Sequence, residues 1–248
     1  MGKHFYGQGY TQPMSAETLQ FQQGSCPNLV FVNGDLTEIV LGFSKKARKY
    51  KFPGGKIELI DVPTPMQLAR MEAYNLAATD EDKKRIREYV TAENCARREL
   101  FNESGITDEQ VECRIKLSYE RTFKGGSVKQ YYFLVLLKER IELPRNIIEA
   151  EEMDPSDYYP TIKVLLGGES GKKINPYHTL SLFKALQELR DAASLEDSKK
   201  KKYEPFLKGT ALSQLLHNVN TVLESISESF TIDSVERDLA EMIDNGEI

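Results

Sequence analysis

The chain has 248 residues, and its 38 acidic and 33 basic side chains leave a net charge of -5. This balance excludes a generally basic protein that binds nucleic acid or anionic membranes without specificity, although a local basic patch is compatible with it. No apolar run approaches a membrane span, no signal-peptide core follows the N-terminus, and the three cysteines form no CxxC pair. We therefore expect a cytoplasmic protein with reduced thiols, containing one sizeable domain with additions or two small domains.

The first elements in the chain are an arm and a hairpin. Residues 1–25 are polar and glutamine-rich, which predicts either a loose arm or an added edge strand. Residues 29–32 and 39–43 are apolar strand segments on either side of an Asn-Gly pair, which supplies the positive φ angles of a tight turn. The sequence therefore predicts a β-hairpin here.

A cation-rich segment, residues 45–51, follows the hairpin. Its cations include Lys45, Lys46, Arg48 and Lys51. Charge runs of this kind are usually solvated, so one interpretation is a solubilising loop. The other is a patch that faces the phosphates of a substrate.

Residues 52–55, Phe-Pro-Gly-Gly, form a turn signal. Glycines such as Gly54 and Gly55 let the backbone approach a ligand closely and offer carbonyl oxygens to a metal. Residues 59–90 then contain a helical pattern that begins at Pro65, and an acidic segment after Thr79 marks a further helix start. We expect a helical excursion, and a lid, a dimerisation arm and inert decoration remain equal alternatives for it.

A helix with two aligned carboxylates follows. Residues 92–104 contain no Gly or Pro and precede Gly105, which predicts a helix with a glycine C-cap. Glu99 and Glu103 are four positions apart, so they share one face and repel by about 0.2–0.5 kcal/mol. Such a pair is most often a solvated face, but Mg2+ prefers oxygen ligands and would relieve the repulsion. Asn102 and Arg98 lie beside the pair.

The second half of the chain begins with strand patterns at residues 111–122 and 128–137, joined by a glycine-containing turn, which predicts a second hairpin. Residues 149–155 form an acidic segment, and an exposed loop is its simplest interpretation. His178 precedes an apolar-periodic helix at residues 179–189 and is predicted to be structural rather than catalytic.

The C-terminal region changes in character. Residues 191–202 are strongly charged, which is typical of a linker or a solvated helix end. Amphipathic patterns at residues 209–227 and 232–243 predict helices that pack on the domain or on a second subunit.

Two of these segments together resemble the signature of a known family. Residues 54–58 (GGKIE) and 98–106 (RELFNESGI) resemble a Nudix box, the signature of the MutT-type pyrophosphohydrolases, split by residues 59–90. Asn102 stands where the family has the first glutamate of an adjacent pair, so we expect weaker metal binding or fewer ions. The acidic position of the box spacer falls on Val90 counted back from Arg98 and on Asp61 counted forward from Gly55. An uninterrupted box continued from Asp61 would need an arginine at position 69, which is an alanine, and we reject it.

The resemblance implies an α/β/α sandwich of Nudix type with a mixed sheet. The domain would span residues 26–190, with the helical insertion at 59–90 and a helical extension at 191–248. It also implies Mg2+-dependent hydrolysis, with Mn2+ as an alternative ion, of a diphosphate linkage in a nucleoside diphosphate derivative such as a nucleotide sugar, ADP-ribose or a dinucleotide.

The resemblance also implies roles for individual residues. The implied metal ligands are Glu99, Glu103, Asn102 and a carbonyl of Gly54 or Gly55. Arg98 would orient a glutamate, and the catalytic base would be Glu103 or a loop glutamate, Glu151 or Glu152. Substrate phosphates would meet the cation patch of Lys45, Lys46, Arg48 and Lys51.

Two other classes of function stay open at this point. One is a Nudix-fold module that binds a nucleotide or an RNA end without cleaving it, which the amide at Asn102 and the interrupted spacer of the box motivate. The other is a scaffold whose helical tail binds a protein partner. Retention of Arg98, Glu99 and Glu103 together favours the hydrolase, with a small-molecule nucleotide as partner, no membrane, and a homodimer as an open alternative.

Overall fold

The computed structural model describes residues 24–32, 36–123, 126–169, 172–192 and 212–226. Its main sheet has the strand order β3-β2-β1-β5-β4, and β6 also pairs with β2, along residues 38–41. The strands are β1 (Asn28–Val32), β2 (Glu38–Ser44), β3 (Lys49–Lys51), β4 (Val111–Phe123), β5 (Gly126–Leu137) and β6 (Asp157–Pro160). The pair β1–β5 is parallel and the other pairs are antiparallel, so the sheet is mixed, as predicted.

Helices occupy the segments between the strands. They are α1 (Pro65–Ala69), α2 (Glu72–Asn75), α3 (Asp80–Ser104), α4 (Thr161–Leu165), α5 (Pro176–Ala192) and α6 (Leu212–Ile226). Short 3-10 helices occur at Leu59–Asp61 and Asp108–Gln110, and a small two-stranded sheet pairs β7 (Gly168–Glu169) with β8 (Lys172–Lys173). Among the described helices, none combines the length and apolarity needed to cross a membrane.

Two apolar cores lie on opposite faces of the sheet. Successive side chains of a strand point to opposite faces, so Leu29 and Phe31 of β1 join one core while Val30 joins the other. The first core includes Leu182 and Leu186 of α5 together with residues of α6, and the second is covered by α3. Helices therefore cover both faces, which confirms the predicted α/β/α sandwich and explains why the central strands are continuous apolar runs.

Both predicted hairpins are present. β1 pairs with β2 through Phe31 and Ile39, and β4 pairs with β5 along almost its whole length. The Asn-Gly turn of the first hairpin and residues 124–125 of the second lie outside the described residues. So do residues 1–23 of the predicted arm, residues 193–202 of the predicted linker, both ends of the helix predicted at 209–227, and the helix predicted at 232–243.

Helix α3 is one continuous element of 25 residues that ends at the predicted Gly105 cap. The Thr79 side chain accepts a hydrogen bond from the Asp82 N–H at its start, and acidic residues occupy the first turn at the positive end of the helix dipole. Gly105 has a φ of 69°, and its N–H donates to the Phe101 carbonyl. The whole second half of the interrupted motif is therefore carried on one rigid helix.

The segment between the glycine turn and α3 is helical, as expected. Thr64 caps α1 in a reciprocal arrangement with Gln67, and Pro65 occupies the first helical position. Large apolar side chains stay exposed along this segment: Leu59, Ile60, Met66 and Leu76. The lid, dimer-arm and decoration roles all remain predictions for it.

Two glycines offer a matched test of the α3 cap. Gly105 and Gly167 each follow a helix, and their φ angles are 69° and 79°. A Cβ added to Gly105 would lie 2.7 Å from Cγ of Pro144, whereas a Cβ added to Gly167 would have no neighbour within 4 Å. We expect Gly167→Ala to lower the free energy of unfolding by about 1–2 kcal/mol through left-handed strain alone. Gly105→Ala should cost about 1 kcal/mol more because Pro144 must also shift. Urea unfolding checks this, and equal losses would contradict it.

Candidate metal centre

Three carboxylates meet beside the glycine turn. One carboxylate oxygen from each of Glu99, Glu103 and Glu149 lies within 4.8 Å of the others. Glu99 and Glu103 are 5% and 2% exposed, and Glu149 is half-buried. Helix α3 places the first two on adjacent turns of one face, as predicted, while the third arrives from the loop before β6. The three carboxylates therefore concentrate negative charge at one place in the fold.

The glycine turn packs directly against two of these carboxylates. The Gly54 N–H donates to Oε2 of Glu103 over 2.7 Å, and a Cβ on Gly55 would collide with the Glu99 carboxyl group. Hydrogen bonds from the Cys26 N–H to the Gly55 carbonyl (2.9 Å) and from the Asn28 N–H to the Pro53 carbonyl (2.8 Å) hold the turn in place. The second glycine is therefore required by the approach of Glu99.

Arg98 donates hydrogen bonds to both Glu99 and Asp61. Its Nη1 donates to Oε1 of Glu99 over 2.6 Å, while Nε and Nη2 bind the two oxygens of Asp61 at 2.9 Å each. Asp61 is 2% exposed and also accepts from the Glu58 N–H. The paired hydrogen bonds that Arg98 donates to Asp61 raise the pKa of its guanidinium. A charged fork of this kind keeps Glu99 in one position.

Asp61 is a residue of the site that the sequence predictions left out. The signal for it was present, because counting forward from Gly55 leads to Asp61 as the acidic position of the spacer. The pairing of Asp61 with Arg98 could not be predicted from spacing, because the insertion separates them by 37 residues along the chain. The 3-10 helix Leu59–Asp61 follows the glycine turn closely, and it brings Asp61 to α3 at the start of the excursion.

Lys51 is the member of the predicted cation patch that reaches this cluster. Its Nζ lies 2.6 Å from Oε1 of Glu103 and 3.0 Å from the Gly54 carbonyl. Lys45 instead donates to the Ala150 carbonyl over 2.6 Å and so holds the acidic loop. Lys46 and Arg48 lie exposed in the turn between β2 and β3.

The loop carboxylate of the cluster is Glu149, not Glu151 or Glu152. The Asn102 amide Nδ2 donates to Oε1 of Glu149 over 3.1 Å, and the Glu149 N–H donates back to the Asn102 carbonyl over 3.2 Å. A tight turn follows, in which the N–H groups of Glu152 and Met153 donate to the Glu149 carbonyl. This turn leaves the Glu151 and Glu152 side chains exposed and outside the cluster.

Burial makes the cluster electrostatically strained. Desolvation, with added repulsion from Glu149 and Glu103, raises the pKa of Glu99 from 4.5 to about 7 although Arg98 opposes the shift. Burial also raises the pKa of Glu103, against the effect of the Lys51 ammonium and the Gly54 N–H. The cluster therefore favours any additional positive charge.

The donor set suits a hard divalent cation. Carboxylate oxygens are the ligands that Mg2+ and Mn2+ prefer. Two of the three carboxylates come from helix α3, and the third comes from a loop that is hydrogen-bonded to it. The two glycine carbonyls named as ligands from the sequence already accept hydrogen bonds, Gly54 from Lys51 and Gly55 from Cys26. Asn102 contacts Glu149, so the structure gives its side chain a partner within the ligand set.

His178 has the structural environment that was predicted for it. Its ring packs edge-on against Phe52 with centroids 4.9 Å apart, and its Nδ1 lies 3.5 Å from the Phe52 N–H. These contacts join the start of α5 to the residue before the proline and glycines of the turn.

No family model and no curated protein matches the chain. Similar solved structures include the Nudix domain of Shewanella oneidensis NrtR complexed with ADP ribose, at 12% identity over 68% of this chain and 88% of that one, with a TM-score of 0.41. The Bacillus subtilis pyrophosphohydrolase BsRppH is 17% identical over 75% and 89%, with a TM-score of 0.44. The E. coli dihydroneopterin triphosphate pyrophosphohydrolase is 11% identical over 65% and 93%, with a TM-score of 0.39.

The raised pKa of Glu99 predicts how pH and metal act together on stability. The proton on Glu99 contributes stability that is complete below pH 4.5 and is lost as the pH rises through about 7. A divalent ion needs the deprotonated form, so Mn2+ should raise the melting temperature by several degrees at pH 8 and far less at pH 5.

Two variants control this measurement. Glu99→Gln should remove the Glu99 contribution to the pH dependence of stability and most of the Mn2+ effect on the melting temperature. Glu81→Gln, which removes an exposed carboxylate at the far end of the same helix, should preserve both. A Mn2+ effect that survives Glu99→Gln would show that the ion binds elsewhere.

Proposed function

We propose that this protein is a Mg2+-dependent pyrophosphohydrolase of the Nudix kind that cleaves a diphosphate linkage in a nucleoside diphosphate derivative. The observation that carries the proposal is the cluster of Glu99, Glu103 and Glu149 against the glycine turn. Bringing three carboxylates together under partial burial costs stability unless a cation compensates them. A purely structural helix gains nothing from such a cluster.

The chain's own residues supply the positioning that this chemistry requires. Arg98 and Asp61 hold the Glu99 carboxylate, the Gly54 N–H holds Glu103, and Asn102 holds Glu149. A divalent ion on these oxygens would neutralise the diphosphate and acidify an attacking water. Glu99 and Glu149 each accept a protein hydrogen bond on one oxygen and Glu103 accepts on both, which prevents the carboxylates from rotating out of the cluster.

Glu149 takes in this proposal the part of the loop base that the sequence assigned to Glu151 or Glu152. It is the most accessible of the three carboxylates, so its free oxygen is best placed to accept a proton from water. Glu103 is the alternative base, but its two oxygens already accept from Lys51 and the Gly54 N–H.

The main reason for considering a non-catalytic binding module no longer holds once Glu149 is counted in the carboxylate cluster. It was based on the missing charge at Asn102, whereas Glu149 brings the number of carboxylates in the cluster to three. The amide at Asn102 also suits this arrangement, because an Nδ2 donor attracts Glu149 where a carboxylate would repel it. These contacts support the hydrolase over a binding module.

Glu149→Gln provides the most direct test of the proposal. Activity would be screened with and without Mg2+ on nucleotide sugars, ADP-ribose, dinucleoside polyphosphates, dNTPs and capped RNA. On the best substrate, Glu103→Gln and Glu149→Gln should each lower kcat by about 100-fold or more. Glu151→Gln and Glu152→Gln should act far more weakly. If Glu151→Gln or Glu152→Gln lowered kcat more than Glu149→Gln, the base would be Glu151 or Glu152 and not Glu149. Absence of turnover on every substrate would contradict the hydrolase.

A double-mutant cycle separates two roles for Asn102. If Asn102 acts by holding Glu149, Asn102→Ala should lower kcat by about 10-fold in the parent protein and have little further effect in the Glu149→Gln background. If Asn102 ligates the ion directly, as the resemblance implied, its effect should persist in both backgrounds. Full additivity of the two losses in free energy would contradict the holding role.

A further inference from the structure

Lys51 places a positive charge on oxygens of the candidate metal centre. Its ammonium lies 2.6 Å from Oε1 of Glu103 and 3.0 Å from the Gly54 carbonyl. Glu103 belongs to the carboxylate cluster, and Gly54 is one of the carbonyls assigned to the metal from the sequence. An ammonium group thus uses the ligands that a hard cation would use.

The two partners differ in their freedom to move. The Glu103 side chain is 3% exposed and is also held by the Gly54 N–H, whereas the Lys51 side chain is 24% exposed on the short edge strand β3. A lysine has a flexible stem of four carbons that can carry its charge several ångströms without backbone movement. An incoming cation would therefore displace Lys51 and leave Glu103 in place.

We propose that Lys51 is a built-in counter-cation, which compensates Glu103 before a divalent ion binds and competes with that ion for Glu103 and Gly54. This inference rests on the proposed function, because it takes the carboxylate cluster to be a metal centre. The competition sets the ion concentration at which the centre fills. Once displaced, the ammonium lies beside the centre, where the phosphates of a diphosphate offer it a new anionic partner.

The competition can be measured without turnover. Isothermal titration of the substrate-free protein with Mn2+ should give a Kd on the order of tenfold lower for Lys51→Met than for the parent, since a competing charge a few ångströms away has been removed. Lys84→Met is the matched control. It makes the same charge change on an exposed residue of α3, 15 positions before Glu99 and so about 22 Å along the helix axis, and should leave the Kd within about twofold.

The outcomes distinguish the inference from the proposed function. A lower Kd for Lys51→Met alone supports the competition. An unchanged or higher Kd, in a protein that still binds Mn2+, overturns the role of Lys51 and leaves the metal centre intact. No Mn2+ binding by the parent or by either variant overturns the metal centre and the inference together.

A second measurement uses the parent protein and so does not depend on the folding of a variant. An ammonium engaged by Glu103 and Gly54 is protected from an amine-acetylating reagent, and displacement exposes it. Mass spectrometry should show that saturating Mn2+ raises the acetylation rate of Lys51 several-fold and leaves that of Lys84 unchanged. An unchanged rate at Lys51 under saturating Mn2+ would overturn the displacement.

Discussion

The rest of this site depends on one constraint, which is that the buried carboxylates of Glu99 and Glu103 pack directly against the glycine turn. Two carboxylates on adjacent helical turns repel each other, and burial increases the cost of their charges. The surrounding chain compensates with positive charge and hydrogen-bond donors, from Arg98, Lys51 and the Gly54 N–H. The close approach leaves no room for a side chain at Gly55.

Asp61 explains how a long excursion can separate the two halves of one site. The chain leaves the glycine turn, forms a single 3-10 turn, and places Asp61 against Arg98 before α1 begins. Asn94 of α3 also donates to the Asp61 carbonyl over 3.0 Å. Both ends of the excursion are thus attached to the same helix, so its middle is free to vary without moving the carboxylates. The exposed apolar side chains of Met66 and Leu76 lie in this middle part.

The structure gives the Asn102 amide a role that the sequence did not predict, because it donates a hydrogen bond to Glu149. Compared with a family pattern, it is a missing carboxylate. In the structure, it faces Glu149, which contributes a carboxylate from a distant loop, and it donates the hydrogen bond that holds that loop. The cluster therefore has three carboxylates although residue 102 is an amide, and the amide donor is matched to a carboxylate acceptor.

Local patterns determined the helix, its glycine cap, both hairpins and the alignment of Glu99 with Glu103, because these depend on periodicity and on φ angles within a few residues. The resemblance to a family signature implied the sandwich, and the apolar runs of β1 and β5, which need cover on both faces, agree with it. Only the tertiary structure decided which loop glutamate joins the cluster, because the turn after Glu149 points Glu151 and Glu152 outward. It also decided that Asp61 partners Arg98 and that Lys51, among the four cations, reaches Glu103. These contacts join residues 37 to 52 positions apart, and no local rule of spacing specifies how the folded chain brings such residues together.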